Sequence, residues 1–166
     1  MPNRNVSGQA DVTIRTEPER LWTMVTNVTR MGEWSPETER AEWLDGASRP
    51  AVGARFRGYN RRGRSKWSTT CEVIEAEPGR VFAFAVGKAN KPETVWRYRF
   101  EAVDGGVRVT ESFQLRKPLG FLSRLVTRVT TGVKDRPADL EDGVRTTLAA
   151  LKRAAEIPAD PLRPRP

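Results

Sequence analysis

From Lys66 to Arg116 the chain alternates polar and apolar residues almost without a break, and the stretch after it changes to a helical period. In Lys66–Ala76 the residues Trp67, Thr69, Cys71 and Val73 share one face. Phe82 and Phe84 do so in 81–86, Trp96, Tyr98 and Phe100 in 94–103, and Val107, Val109, Glu111, Phe113 and Leu115 in 107–116. A period of two predicts strands with one buried face. Arg97, Arg99, Glu101, Arg108, Thr110, Ser112 and Gln114 point the other way and predict a wet outer surface. Glu77-Pro78-Gly79 and Asp104-Gly105-Gly106 are short turns, so consecutive strands are expected to pair antiparallel. From Phe121, apolar residues recur every three or four positions: Leu122, Leu125, Val126, Val129 and Val133, then Leu140, Val144, Leu148 and Leu151. That is a long helix, with Pro137 predicting a break or kink near Asp135, which would cap its second half. A one-faced sheet must bury that face, and only this helix is long enough to cover it. The expectation is an α+β fold whose antiparallel sheet curls around the carboxy-terminal helix.

The upstream residues complete the set. Residues 9–15 carry Ala10, Val12 and Ile14 on one face of a first strand. Thr16 is expected to cap a short helix with Pro18 and Glu19 in its first turn and Leu21, Trp22 and Val25 on its buried side. Asn27–Pro36 predicts a second short helix, broken by Gly32 and Pro36, with Trp34 packing the helix pair on the sheet. Strands are expected at 39–44 and 54–60, joined to the next by 61–65, giving about seven strands. A length of 166 residues suits one core. We therefore expect a single domain over 1–156 and a disordered proline-rich tail over 157–166.

Composition narrows the chemistry. The chain has no histidine and one cysteine, Cys71. Ser-His-Asp triads, Cys-His pairs, imidazole metal sites and internal disulfides are thereby excluded. Proton chemistry is left to carboxylates, Tyr59, Tyr98, lysines and Cys71, which would need burial to shift their pKa values toward neutrality. No run of about 18 apolar residues occurs, so no membrane span is expected, and a cytoplasmic location is. The formal charge of +8 would attract anionic partners. The only dense basic group, Arg55, Arg57, Arg61, Arg62, Arg64 and Lys66 around Gly63, reads as a solvated hairpin tip, and nucleic acid is not the expected partner. A basic interaction module is the alternative reading of it.

Four segments carry a family resemblance: PERLWTMVTNVTRMGEWSP, VGARFRG, TCEVIEAEPGRVFAFAV and GGVRVTESF ahead of a long helix. In this order the chain resembles the START-like (SRPBCC) polyketide cyclase/dehydrase and lipid-transport superfamily over residues 6–156. The resemblance implies the helix-grip fold, with a cavity between the concave sheet and the long helix that is reached through loops at one end. It implies binding or carriage of a small hydrophobic molecule, lipid or polyketide-like, or alternatively a cyclase/dehydrase-type enzyme.

If the cavity exists, its walls are Trp67, Thr69, Cys71, Phe82, Phe84, Trp96, Tyr98, Glu111 and Phe113, with Asn60 reaching in from the strand of Phe56 and Gly58. Aromatic walls suit a flat or extended apolar ligand; the competing reading is that these rings fill a core. Glu111 falls between Val109 and Phe113 on the apolar face, where a lone charge is costly. Either its pKa is raised and it serves, with Tyr98, as a catalytic acid or base or as a ligand contact, or a bulge turns it outward, or an arginine or Tyr98 satisfies it. Asn60 offers a ligand both donor and acceptor, or else stabilises the basic turn. Cys71 is expected to be a buried, inert thiol. No phosphate loop or cofactor fingerprint occurs, so no cofactor and no metal are expected. The chain is expected to be a monomer or homodimer.

Overall fold

A computed structural model describes residues 6–116 and 136–158. Seven strands form one antiparallel sheet: β1 (Val6–Ile14), β2 (Thr38–Trp43), β3 (Arg55–Arg62), β4 (Ser65–Glu77), β5 (Val81–Lys88), β6 (Lys91–Val103) and β7 (Gly106–Leu115). Their order is β1-β7-β6-β5-β4-β3-β2. Every step from β2 to β7 is a hairpin between neighbours, and β1 closes the other edge by pairing with β7 from Val6↔Leu115 to Ile14↔Val107. Helix α1 (Pro18–Thr26), a 3-10 helix (Val28–Glu33) and helix α2 (Arg136–Glu156) complete the fold, which is the expected helix grip.

The alternation read from the sequence is the alternation of burial. Phe56, Cys71, Val73, Phe82, Phe84, Tyr98, Phe100, Val107, Val109 and Phe113 all turn to the concave face and are buried. Three bulges adjust it, the first at Glu39, where the pairing jumps from Thr38↔Asn60 to Arg40↔Tyr59. At Ile74 the pairing jumps from Val73↔Phe84 to Glu75↔Ala83, so that Val73 and Ala76 keep to the inner side of a strand that bends. At Glu93 it jumps from Val86↔Thr94 to Gly87↔Pro92, which frees one residue at the end of the sheet. The outer face is less uniformly wet than its sequence suggested: Ala83, Ala85 and Val95 are buried there. Glu75, Ala83 and Arg97 are register neighbours, and the Arg97 guanidinium reaches over the small Ala83 to pair with Glu75.

Local details correct one expectation and refine another. The residue capping α1 is Glu17, in an extended conformation and without a side-chain cap, whereas the Thr16 N–H donates to the Ile14 carbonyl at 3.1 Å. Pro18 sets the reason, because the residue before a proline is held out of the helical region and so marks the boundary. The second short helix is present as expected and is of the 3-10 type. The Asn27 side chain caps it by accepting from the Thr29 N–H and Oγ1 at 3.2 and 2.6 Å, and Gly32 lets it lie against β2. Trp34 follows, buried as expected, with Arg30 over its ring at 5.2 Å.

Helix α2 divides along its length. Leu148, Leu151 and Ala155 are fully packed, whereas Leu140, Gly143, Val144 and Thr147 front a cavity. Its end is tied down: Lys152 Nζ donates to the Thr13 carbonyl at 2.6 Å, the Arg15 N–H donates to Glu156 Oε1 at 3.0 Å, and Arg20 donates to the Ile157 carbonyl at 3.0 Å. The expected helical stripe from Phe121 to Val133, the Asp135 cap and the tail beyond Pro158 lie outside the described residues.

Candidate functional site

The two ends of the concave face differ. At one end, Trp22 packs edge-on against Phe82 and Phe100, with ring centroids 6.3 and 5.6 Å apart, so α1 seals the sheet with aromatic rings. Toward the other end, where β3 ends and β4 and β6 begin, the sheet and α2 enclose a cavity of about 730 Å³. That volume is in the usual range for small-molecule sites.

Of the residues singled out in the sequence, Asn60, Trp67, Thr69, Cys71, Phe84, Trp96, Tyr98 and Glu111 line the cavity. Phe82 and Phe113 do not. Phe82 is wholly buried against Trp22 and Phe84, and Phe113 is buried beside its cross-strand neighbour Trp96, with ring centroids 5.6 Å apart. Each packs against a lining residue without reaching the cavity itself. Alternation could not separate them from the lining, because it assigns a face and not a depth.

Glu111 lies opposite Tyr98 on β6 and Ala10 on β1, in unbroken register and 3% exposed, so no bulge turns it outward. Tyr98 Oη donates to Glu111 Oε1 at 2.8 Å. Among the described residues, Glu111 Oε2 has no hydrogen-bond partner. Burial pushes the Glu111 carboxyl up to about 8, against a smaller downward pull from the Tyr98 hydrogen bond. Burial, and then the neighbouring Glu111 charge, push the Tyr98 phenol well above its ordinary value. At neutral pH the pair is therefore mostly a neutral carboxylic acid beside a neutral phenol.

A second polar group lies across the cavity. Thr38 Oγ1 donates to Asn60 Oδ1 at 2.9 Å, and Asn60 Nδ2 donates to Thr69 Oγ1 at 3.3 Å, which holds the amide orientation. Cys71 is beside it, and burial pushes its thiol up to about 12, so it is not a nucleophile. Between the two polar groups run Phe84, Val86 and Trp96.

Several lining residues escaped the sequence reading. Ser35, Pro36 and Glu37 come from the turn before β2, Arg62 from the end of β3, Glu93 from the β6 bulge and Asp139 from the first turn of α2. Arg62 pairs with Asp139 and so links the β3–β4 hairpin to α2 beside the cavity. The one signal available for the α2 wall was that Gly143 and Thr147 interrupt an otherwise apolar stripe at helical spacing. The dense basic segment is partly engaged within the chain: Arg55 pairs with Asp45, Arg61 with Glu39 and Arg62 with Asp139. No cluster of metal-ligating side chains occurs among the described residues.

Comparison with known proteins agrees with this fold. Residues 5–156 match the family model described as polyketide cyclase/dehydrase and lipid transport. The chain belongs to that family. No curated protein matches the sequence. Among solved structures of the same fold, this polyketide cyclase/dehydrase and lipid-transport member is similar to the Polyketide_cyc-like protein Cgl2372 from Corynebacterium glutamicum, with 29% identity, a TM-score of 0.64 and 94% of each chain covered. It is similar in fold to the di-domain ARO/CYC protein StfQ of the steffimycin biosynthetic pathway at 14% identity and TM-score 0.71, covering 92% of this chain and 51% of that one. The Aha1 dimer from Colwellia psychrerythraea shares the fold at 16% identity and TM-score 0.60, covering 92% of this chain and 97% of that one. None of the described helices is long and apolar enough to cross a membrane.

Proposed function

We propose that this family member binds or carries a small hydrophobic molecule, lipid or polyketide-like, in the cavity between its sheet and α2. The observation that carries this reading is the cavity of about 730 Å³, walled by Phe56, Phe84, Trp67 and Trp96 and holding a buried carboxyl at Glu111 with one oxygen unpartnered. That oxygen belongs to a residue lining the cavity, and an unsatisfied buried group costs about 1–3 kcal/mol, a cost that an occupant with a matching polar atom would relieve. Rigid aromatic walls supply apolar contact, and the Asn60–Thr69 and Glu111–Tyr98 groups supply orientation. Native mass spectrometry of freshly purified protein tests the reading. A co-purifying small molecule, lost on denaturation, is the expected result; a protein that neither carries one nor takes up apolar probes speaks against it.

A second reading, turnover of the cyclase/dehydrase type, is favoured by the Glu111–Tyr98 pair itself. A carboxyl whose pKa lies near the working pH can give and take a proton, and the walls would hold a reactive chain in one conformation. Glu111→Gln would then abolish turnover while leaving ligand capture in place.

A further inference from the structure

We infer that Glu111 meets the ligand as a hydrogen-bond donor through Oε2, so that the occupant is an uncharged apolar molecule with an oxygen acceptor, a carbonyl or ether, placed against β6 and β7. The inference rests on the ligand-binding reading above and specifies the chemistry of that site.

The argument follows the protons. A buried phenol must donate its O–H somewhere, and the Tyr98 hydroxyl donates to Glu111 Oε1. Oε1 is thereby the acceptor, the carbonyl oxygen of a carboxylic acid, and the acid's own proton belongs on Oε2. Oε2 is the atom without a partner, on a residue that lines the cavity. Among the described residues no cation contributes to the charge balance of Glu111, which is set by burial and Tyr98. The β1 residue opposite it is Ala10, and Cys71, the other buried titratable group of the cavity, stays a neutral thiol. Glu37, Arg62, Glu93 and Asp139 line the cavity farther along, and Glu141 of α2 lies by Gly8 and pairs with Arg145. A neutral acid between a phenol and an apolar wall offers one O–H to an occupant. A ligand carboxylate would be repelled once Glu111 ionises, and a ligand that only donates would leave the acid proton unsatisfied.

The second polar group sets the other end. Thr69 on β4 is three strands from Glu111 on β7, an arc of roughly 14 Å at about 4.8 Å per strand. The lining between them is Phe84, Val86 and Trp96. An extended or multi-ring molecule spans that arc; a single small ring touches one end only.

A matched pair of probes tests the donor. 2-Acetylnaphthalene and 2-isopropenylnaphthalene have nearly the same shape, and only the first has an oxygen acceptor; quenching of Trp67 and Trp96 reports binding. At about pH 6.5 the ketone is expected to bind roughly five- to tenfold more tightly, the value of one neutral hydrogen bond. That preference should vanish at about pH 9.5, where Glu111 is ionised. Glu111→Gln, whose amide N–H₂ replaces the acid O–H, should keep the preference at both pH values, and Glu111→Leu should lose it at both. Infrared difference spectra between the unliganded native protein and the Gln variant should show a protonated-carboxyl band at about pH 6.5. Equal binding of the two probes, a preference that grows with pH, or absence of that band overturns this inference and leaves the binding reading standing. Failure of both probes to bind overturns the binding reading, and this inference with it.

Discussion

Tyr98 and Glu111 face each other across β6 and β7, their side chains joined by a 2.8 Å hydrogen bond and closed off from solvent. Among the described residues nothing else in the cavity combines burial, a titratable group and an unpartnered atom. The pair makes stability depend on pH in a specific direction. A carboxyl raised in the folded state binds its proton more tightly there than in the unfolded chain, so it costs nothing below the ordinary Glu value of 4.5. Stability is then lost, by about 1.4 kcal/mol per pH unit, as pH rises from there to about 8, and the loss levels off above it. Other carboxylates, Glu33 and Glu42 among them, are shifted downward and contribute the opposite slope at lower pH. The difference between native protein and Glu111→Gln isolates the one group. Urea titrations should show the Gln variant gaining on the native protein between about pH 5 and pH 8, by several kcal/mol.

Tyr98→Phe removes the donor and leaves Glu111 Oε1 unpartnered as well. We expect a loss of about 1–3 kcal/mol in denaturant unfolding. The Tyr98 hydrogen bond lowers the Glu111 pKa, so its removal should also move the midpoint of the pH effect upward. A variant with the native pH profile would show that the hydrogen bond does not couple the two groups.

Phe82 and Phe84 are neighbours on one strand face with different surroundings. Phe82 is packed on all sides, so Phe82→Ala should cost about 3–5 kcal/mol. Phe84 already borders the cavity, so Phe84→Ala should cost less in thermal or urea unfolding while weakening uptake of apolar probes more strongly.

Gly32 is required by close approach rather than by backbone angle. A Cβ there would stand 2.2 Å from the Glu39 carbonyl oxygen, a backbone atom that cannot turn aside. Gly32→Ala should push the 3-10 helix off β2 and cost about 3 kcal/mol, the upper end of the usual overpacking penalty. A change in melting temperature of less than a degree would contradict that contact.

Cys71 should resist alkylation in the native protein near neutral pH, because it is buried and its thiol is pushed up to about 12. Mass spectrometry after iodoacetamide treatment should find it unmodified until denaturant is added.

How far the sequence alone reaches can be argued from these same residues. The period-two runs determined which residues face inward, because a strand has only two faces and water claims one: Trp96, Tyr98 and Glu111 fall on the inner face by alternation alone. The helical stripe Leu140, Val144, Leu148, Leu151 likewise determined that α2 covers the sheet, and the absence of histidine determined which chemistries were closed. Tertiary structure alone decided depth and pairing. Phe113 and Glu111 are equivalent by alternation, yet one is packed against Trp96 away from the cavity and the other is at the cavity wall, since depth depends on sheet curvature and on where α2 lies. The Arg62–Asp139 pair joins residues 77 positions apart, a distance over which local pattern carries no information. The Glu111–Tyr98 bond needed the register of β6 on β7, and that register, set by a turn and two strand lengths, made a suspicious carboxylate into one with a single free oxygen.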